Sequence, residues 1–128
     1  MINWNDYPNF SKEEFDCKHS GNNEMDAQFM GRLQLLRDAY KRPIIVTSGF
    51  RDITHPIEAM KKRPGAHTTG KAVDIAIDRG DAYRLLKLAL WAGFTGIGIK
   101  QKGSGRFLHL DTIEEGTDGF IRPTIWSY

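Results

Sequence analysis

One cysteine, Cys17, stands in the 128 residues, and its solitude excludes two frameworks at once. No internal disulfide can form, and no zinc site built from several thiolates is available. No stretch approaches the roughly 20 consecutive apolar residues that span a bilayer. The opening Met1-Ile2-Asn3-Trp4-Asn5-Asp6 lacks a basic region followed by an apolar run, so no signal peptide is visible. Charge of one sign is also missing. Eighteen Lys and Arg against 16 Asp and Glu leave +2, which argues for neither nucleic acid nor membrane as a partner. No repeat, linker or shift of composition marks a second domain. What remains is ordinary for a globular chain, 40% hydrophobic and 27% charged. A chain of this length buries roughly two-thirds of its surface, enough for one core.

The helices and strands alternate irregularly, and that order gives the fold class. Residues 1–23 read as an N-terminal apron, 24–128 as the core of one domain. Ser11 with Glu14 is a capping box for a short helix over Lys12 to Phe15, with Phe10 and Phe15 as a satellite core. His19 sits in a polar loop and reads as a surface residue. Asp26 opens a helix to about Tyr40, with Phe29, Leu33, Leu36 and Tyr40 on one face. Ile44 to Thr47 reads as a buried strand. Asp81 to Ala92 is a second helix, striped by Ala82, Leu85, Leu86, Ala89 and Leu90 and stopped by Gly93. Lys102 to Gly105 is a hairpin turn. The tail, Asp118 to Tyr128, carries Arg122, Trp126 and Tyr128 and is expected to close one side of a cleft or a sheet edge. The expected class is α+β: a small, mostly antiparallel sheet, helices on its apolar face, a cleft on the other.

The chemistry concentrates in two strands. From Lys71 to Ile77 the pattern has period two: Val73, Ile75 and Ile77 face one way, Ala72, Asp74 and Ala76 the other. His67 lies in the turn-rich loop that feeds this strand. Arg106 to Asp111 repeats the design, with Leu108 and Leu110 behind and Phe107, His109 and Asp111 in front. Gly96 and Gly98 leave the front of a third strand bare, and glycine inside a strand marks close approach by a ligand or another backbone. His67, Asp74 and His109 then form a set of three ligands suited to one Zn²⁺ per chain. A fourth position stays open for water, as in catalytic rather than structural zinc sites. Each residue also has a plainer reading, His67 as a loop residue and Asp74 as a strand-end charge.

Four segments now stand in order: Ser48-Gly49-Phe50-Arg51, His67-Thr68-Thr69-Gly70-Lys71-Ala72-Val73-Asp74, Gly96-Ile97-Gly98-Ile99 and His109-Leu110-Asp111. Together they resemble the zinc D-Ala-D-Ala carboxypeptidases. Relatives of that family include phage L-alanyl-D-glutamate endopeptidases, and its fold is shared with the hedgehog signalling domain. The resemblance runs from about Asn9 to Tyr128. It implies a zinc peptidase acting on peptidoglycan stem peptides, made in the cytoplasm and reaching the wall after holin-type release or as part of a virion. The chain is expected to work as a monomer.

In that family an arginine in the place of Arg51 binds substrate, and a guanidinium there can hold a carboxylate in bidentate fashion. The plainer alternative is a surface salt bridge with Asp52 or Glu58. Some relatives carry an acid three positions before the last histidine ligand, where this chain has Arg106. Asp111 and His55 are therefore the two candidates for the catalytic base. Asp111 has a second reading, as the partner that fixes a ligand imidazole. His55 has one too, as a loop cap. The rival to an enzyme is a module of the same fold that holds zinc and binds cell wall or builds a virion without turnover.

Overall fold

The Lys71 to Ile77 alternation becomes an inner strand of a five-stranded sheet. A computed structural model describes residues 2–128. The strands are β1 (Ile45–Ser48), β2 (Ala72–Ala76), β3 (Gly96–Lys100), β4 (Phe107–Asp111) and β5 (Thr124–Ser127), in the spatial order β1-β2-β4-β3-β5. All neighbours run antiparallel except β3 and β5. The helices are α1 (Lys12–Phe15), α2 (Ala27–Tyr40), α3 (Pro56–Ala59) and α4 (Arg79–Trp91). The class is thus α+β in a single small domain, as the sequence suggests. No helix among the described residues is long and apolar enough to cross a membrane.

Period two decides the two faces of the sheet. Val73, Ile75, Leu108, Leu110 and Ile97 are all buried on the back. α2 and α4 pack there, and α2 contributes Phe29, Met30, Leu33 and Leu36, none of them exposed. Asp26 caps α2, accepting a hydrogen bond from the Phe29 N–H at 2.9 Å, which satisfies one donor of the first turn. α4 is narrower than its apolar stripe. Ala82, Leu85 and Ala89 are buried, whereas Leu90 stays 58% exposed because the helix buries only its central stripe against the core.

Two further expectations change. Phe10 and Phe15 are not a satellite; they join the main apolar cluster, with the Phe15 ring 5.5 Å from Trp4 and 5.7 Å from Phe10. Full burial of such a ring stabilises by about 1.5–3 kcal/mol, so the apron is tied to the core. β1 is not a fully buried strand. It forms one edge of the sheet, and Ile45 is exposed while Ile44 is buried. The tail closes one side of the cleft as expected, through Phe120, Arg122, Trp126 and Tyr128, and it also adds β5 as a parallel edge strand beside β3.

Candidate metal centre

Register puts the ligand-type residues in one row across the sheet. Ser48 pairs with Asp74, Asp74 with His109, His109 with Gly98, and Gly98 with Trp126. Residues opposite one another on one face of paired strands have neighbouring side chains, so Asp74 and His109 meet by strand pairing alone. Gly98 is not a bare patch. A Cβ there would come 2.7 Å from Trp126 Nε1 and 2.9 Å from His109 Cβ. The missing side chain lets the Trp126 and His109 rings approach to 5.0 Å. Gly96 makes the same room for the Asp111 carboxylate.

His67 arrives from outside the sheet. It lies in a single 3-10 turn, Ala66–Thr69, closed by Gly70 at φ +74, where a side chain would overlap the Glu24 carbonyl. The turn is fastened to the end of β1: the Arg51 N–H donates to the His67 carbonyl at 3.1 Å, and the Gly49 carbonyl lies 2.8 Å from His67 Nδ1. Gly49 is itself pinned, since any Cβ there would strike Phe15 Cα at 2.6 Å. The apron therefore sets the carbonyl that orients this histidine.

His67, Asp74 and His109 are all buried, and one ligand atom from each lies within 4.8 Å of the others. Their protonation follows from their outer contacts. A carbonyl only accepts, so His67 Nδ1 carries its hydrogen toward Gly49 and Nε2 presents a lone pair. His109 Nε2 stands 2.7 Å from Asp111 Oδ2, so that nitrogen donates and Nδ1 presents the lone pair. Both lone pairs aim at one oxygen: His67 Nε2 and His109 Nδ1 are each 3.2 Å from Asp74 Oδ1. Two nitrogen lone pairs facing a carboxylate repel unless a proton or a metal cation lies among them. Tetrahedral ligands about 2 Å from a common centre stand roughly 3.3 Å apart, so the spacing fits zinc. Without a metal a proton takes the place. Burial would raise the Asp74 carboxyl, but the hydrogen bonds from the two imidazoles outweigh it and hold Asp74 well below the usual carboxylate range. Burial likewise disfavours charge on His109, yet Asp111 and Asp74 raise its pKa above the ordinary value.

The other site residues fall in different places. Asp111 is fully buried behind His109, outside the lining of the cleft, with both oxygens engaged. Arg122 donates through Nε to Oδ1 at 2.9 Å and through a terminal nitrogen to Oδ2 at 2.8 Å. Burial opposes ionisation there, but hydrogen bonds from His109 and Arg122 keep the Asp111 pKa low. His55 is not brought to the cluster. It caps α3, its Nδ1 accepting from the Ile57 N–H at 3.1 Å, and its ring lies 5.9 Å from that of exposed His19. Arg106 lines a separate cavity beside the β3–β4 turn, donating to the Gly103 carbonyl. Arg51 is not at the surface: its side chain is 17% exposed, with one terminal nitrogen 3.6 Å from Glu58 and the other 3.6 Å from Asp74.

A cleft of about 610 Å³ opens over the three ligands, with Arg51, Lys61, Phe107, Phe120, Trp126 and Tyr128 among its walls. Sequence reasoning placed Arg122 only in a covering tail. The structure buries it against Asp111, with Phe120 and Trp126 rings 5.1 and 5.3 Å from its guanidinium. No local pattern could reveal that pairing, because ten residues, carrying only a short 3-10 turn, separate Arg122 from Asp111.

No curated protein sequence matches the chain. The sequence profile of the peptidase M15 family matches residues 8–111. The match takes in β1 to β4 with His67, Asp74, His109 and Asp111, and it stops short of Arg122 and β5. Peptidases of this family depend on zinc, in keeping with the donor set built here. The chain is a member of the peptidase M15 family.

Proposed function

We propose that this protein is a zinc metallopeptidase that hydrolyses peptide bonds in peptidoglycan stem peptides, as a carboxypeptidase or an endopeptidase. The observation that carries the reading is the convergence of His67 Nε2, Asp74 and His109 Nδ1, each imidazole fixed in its tautomer by a partner behind it. A zinc ion held by these three supplies Lewis-acid polarisation of a scissile carbonyl and lowers the pKa of water to roughly 7.

The chain's own residues do the rest. Gly49 and Asp111 hold the rings in place, and Arg122 keeps Asp111 ionised so that it accepts from His109. Both Asp111 oxygens are occupied, which supports the orienting role over that of proton acceptor. Arg51 offers a planar fork to a substrate carboxylate beside Asp74. Phe107, Phe120, Trp126 and Tyr128 wall the cleft, and apolar walls strengthen each charge interaction beside them. The protein acts on the wall after release from the cytoplasm, or as part of a virion.

One observation favours a second reading, a zinc-holding module that binds wall without cleaving it. Asp74 is the one carboxylate among the described residues lining the cleft, and it belongs to the ligand set. Digestion of purified peptidoglycan by the zinc-loaded protein, with and without chelator, separates the two. Chelator-sensitive release of fragments supports the peptidase, and mass spectrometry of their new termini names the bond. Intact peptidoglycan that retains the protein supports the binding module and overturns the peptidase.

A further inference from the structure

Glu58 is a buried carboxylate that the metal centre does not use. Its side chain has no exposed surface, although it sits on the four-residue α3 beside the cleft. Three partners surround it. The Gly65 N–H donates to Oε1 at 2.8 Å, Lys61 Nζ lies 3.0 Å from Oε2, and an Arg51 terminal nitrogen lies 3.6 Å from the same oxygen. Gly65 has no side chain to keep these groups apart; a Cβ there would stand 2.5 Å from Lys61 Nζ and 2.9 Å from Glu58 Oε1. One carboxylate thus ties together the start of the His67 turn, Lys61 and Arg51.

Both cations line the cleft, whereas Glu58 does not. Asp74 belongs to the metal, so two cations share one remaining carboxylate and a positive charge is left over. The donors are also left over. The Arg51 guanidinium makes only 3.6 Å contacts, longer than a hydrogen bond, and donates to no atom of the described residues. The Lys61 side chain is 41% exposed, with donors to spare beyond the one aimed at Glu58. A planar fork and a point charge held beside a metal site make a fit for one anionic, planar group.

We infer that Lys61 is a second cation that completes, beside Arg51, the carboxylate subsite already given to Arg51 in the peptidase reading, and that Glu58 is the positioning residue that holds both in place. The ligand class is a peptide bearing a free carboxylate. The inference rests on the peptidase reading for the identity of that peptide, but the subsite itself can be tested without turnover.

The test compares N-acetyl-D-alanine with its carboxamide, two probes that differ only in the carboxylate, in NMR titrations of the zinc-loaded protein. The wild type should bind the acid about tenfold more tightly than the amide, the scale of one charge-assisted hydrogen-bonded pair. Lys61→Met should lower affinity for the acid several-fold and leave the amide unchanged, and Arg51→Met should do the same. Glu58→Gln is the discriminating variant. It keeps an acceptor for Gly65 and adds net positive charge, so simple attraction predicts tighter binding of the acid. A positioning role predicts weaker binding. Equal binding of acid and amide by the wild type, or an unaltered acid preference in Lys61→Met, overturns the subsite. Tighter acid binding by Glu58→Gln overturns the positioning role. If Glu58→Gln does not fold, Lys61→Met, altered at a half-exposed side chain, decides the subsite alone. An intact acid preference in a protein that leaves peptidoglycan uncut supports the subsite while it overturns the peptidase.

Discussion

Arg122 grips Asp111 with two parallel hydrogen bonds of 2.9 and 2.8 Å, and Asp111 in turn accepts from His109 at 2.7 Å. The chain His109–Asp111–Arg122 runs from the ligand set behind His109 and back to the cleft wall. An ion pair at this depth is sustained only when its lone pairs are satisfied, and here the Ile113 N–H adds a bond to Oδ1.

Asp111→Asn separates two roles for this carboxylate. As the orienting partner, its loss should weaken zinc affinity by about 10–100-fold, with activity restored by excess zinc. A proton acceptor would instead cost about 10²–10⁴-fold in turnover with zinc fully bound. Zinc titration alongside peptidoglycan hydrolysis distinguishes the two, and we expect the first result. Arg122→Met should reproduce it in weaker form and also lower stability, because it leaves a buried carboxylate without its cation.

Removing a ligand should act on the metal directly. His67→Ala and His109→Ala should each reduce bound zinc well below one per chain, measured by metal analysis after gel filtration. Full zinc in both variants would show that other residues hold it.

The pH dependence follows from His109. Its pKa in the folded, metal-free protein lies above the ordinary 6.5. Protonation therefore stabilises the metal-free fold; that contribution is present below 6.5 and is lost as pH rises through the folded value. Zinc must displace the same proton, so its affinity should climb across this window and level off above it. Calorimetry in buffers of different ionisation enthalpy should report proton release on zinc uptake below the raised pKa, and zinc affinity measured alongside should stop climbing above it.

Two glycines should respond oppositely to alanine. Gly98→Ala forces a methyl against Trp126 and His109, so it should destabilise by about 1–3 kcal/mol and disturb zinc binding. Gly31 lies within α2, exposed, with nothing within 4 Å of an added Cβ. Gly31→Ala should stabilise by about 0.5–1 kcal/mol and leave zinc untouched. Denaturant titration of the metal-free variants measures both.

The sequence alone determined whatever depends on local periodicity. The alternation in 71–77 and 106–111 placed Asp74 and His109 on one face, because side chains in strands alternate whatever surrounds them. The histidine-to-aspartate spacing and the glycines brought His67 into the same set. Arg51 was legible through its motif and Glu58 was already one of its candidate partners, but its second neighbour, Asp74, was not. Tertiary structure decided what depends on distant pairing. Asp111 had two readings in the sequence because its environment is supplied by Arg122, across a loop that no spacing rule spans. His55 had two readings, catalytic base or loop cap, and Glu58 had one, as a surface ion-pair partner of Arg51. Folding turned one into the cap of α3 and buried the other among Arg51, Lys61 and Gly65. The face of a strand residue is a local property of the backbone, whereas the charge state and partner of a buried group belong to whatever the rest of the chain brings against it.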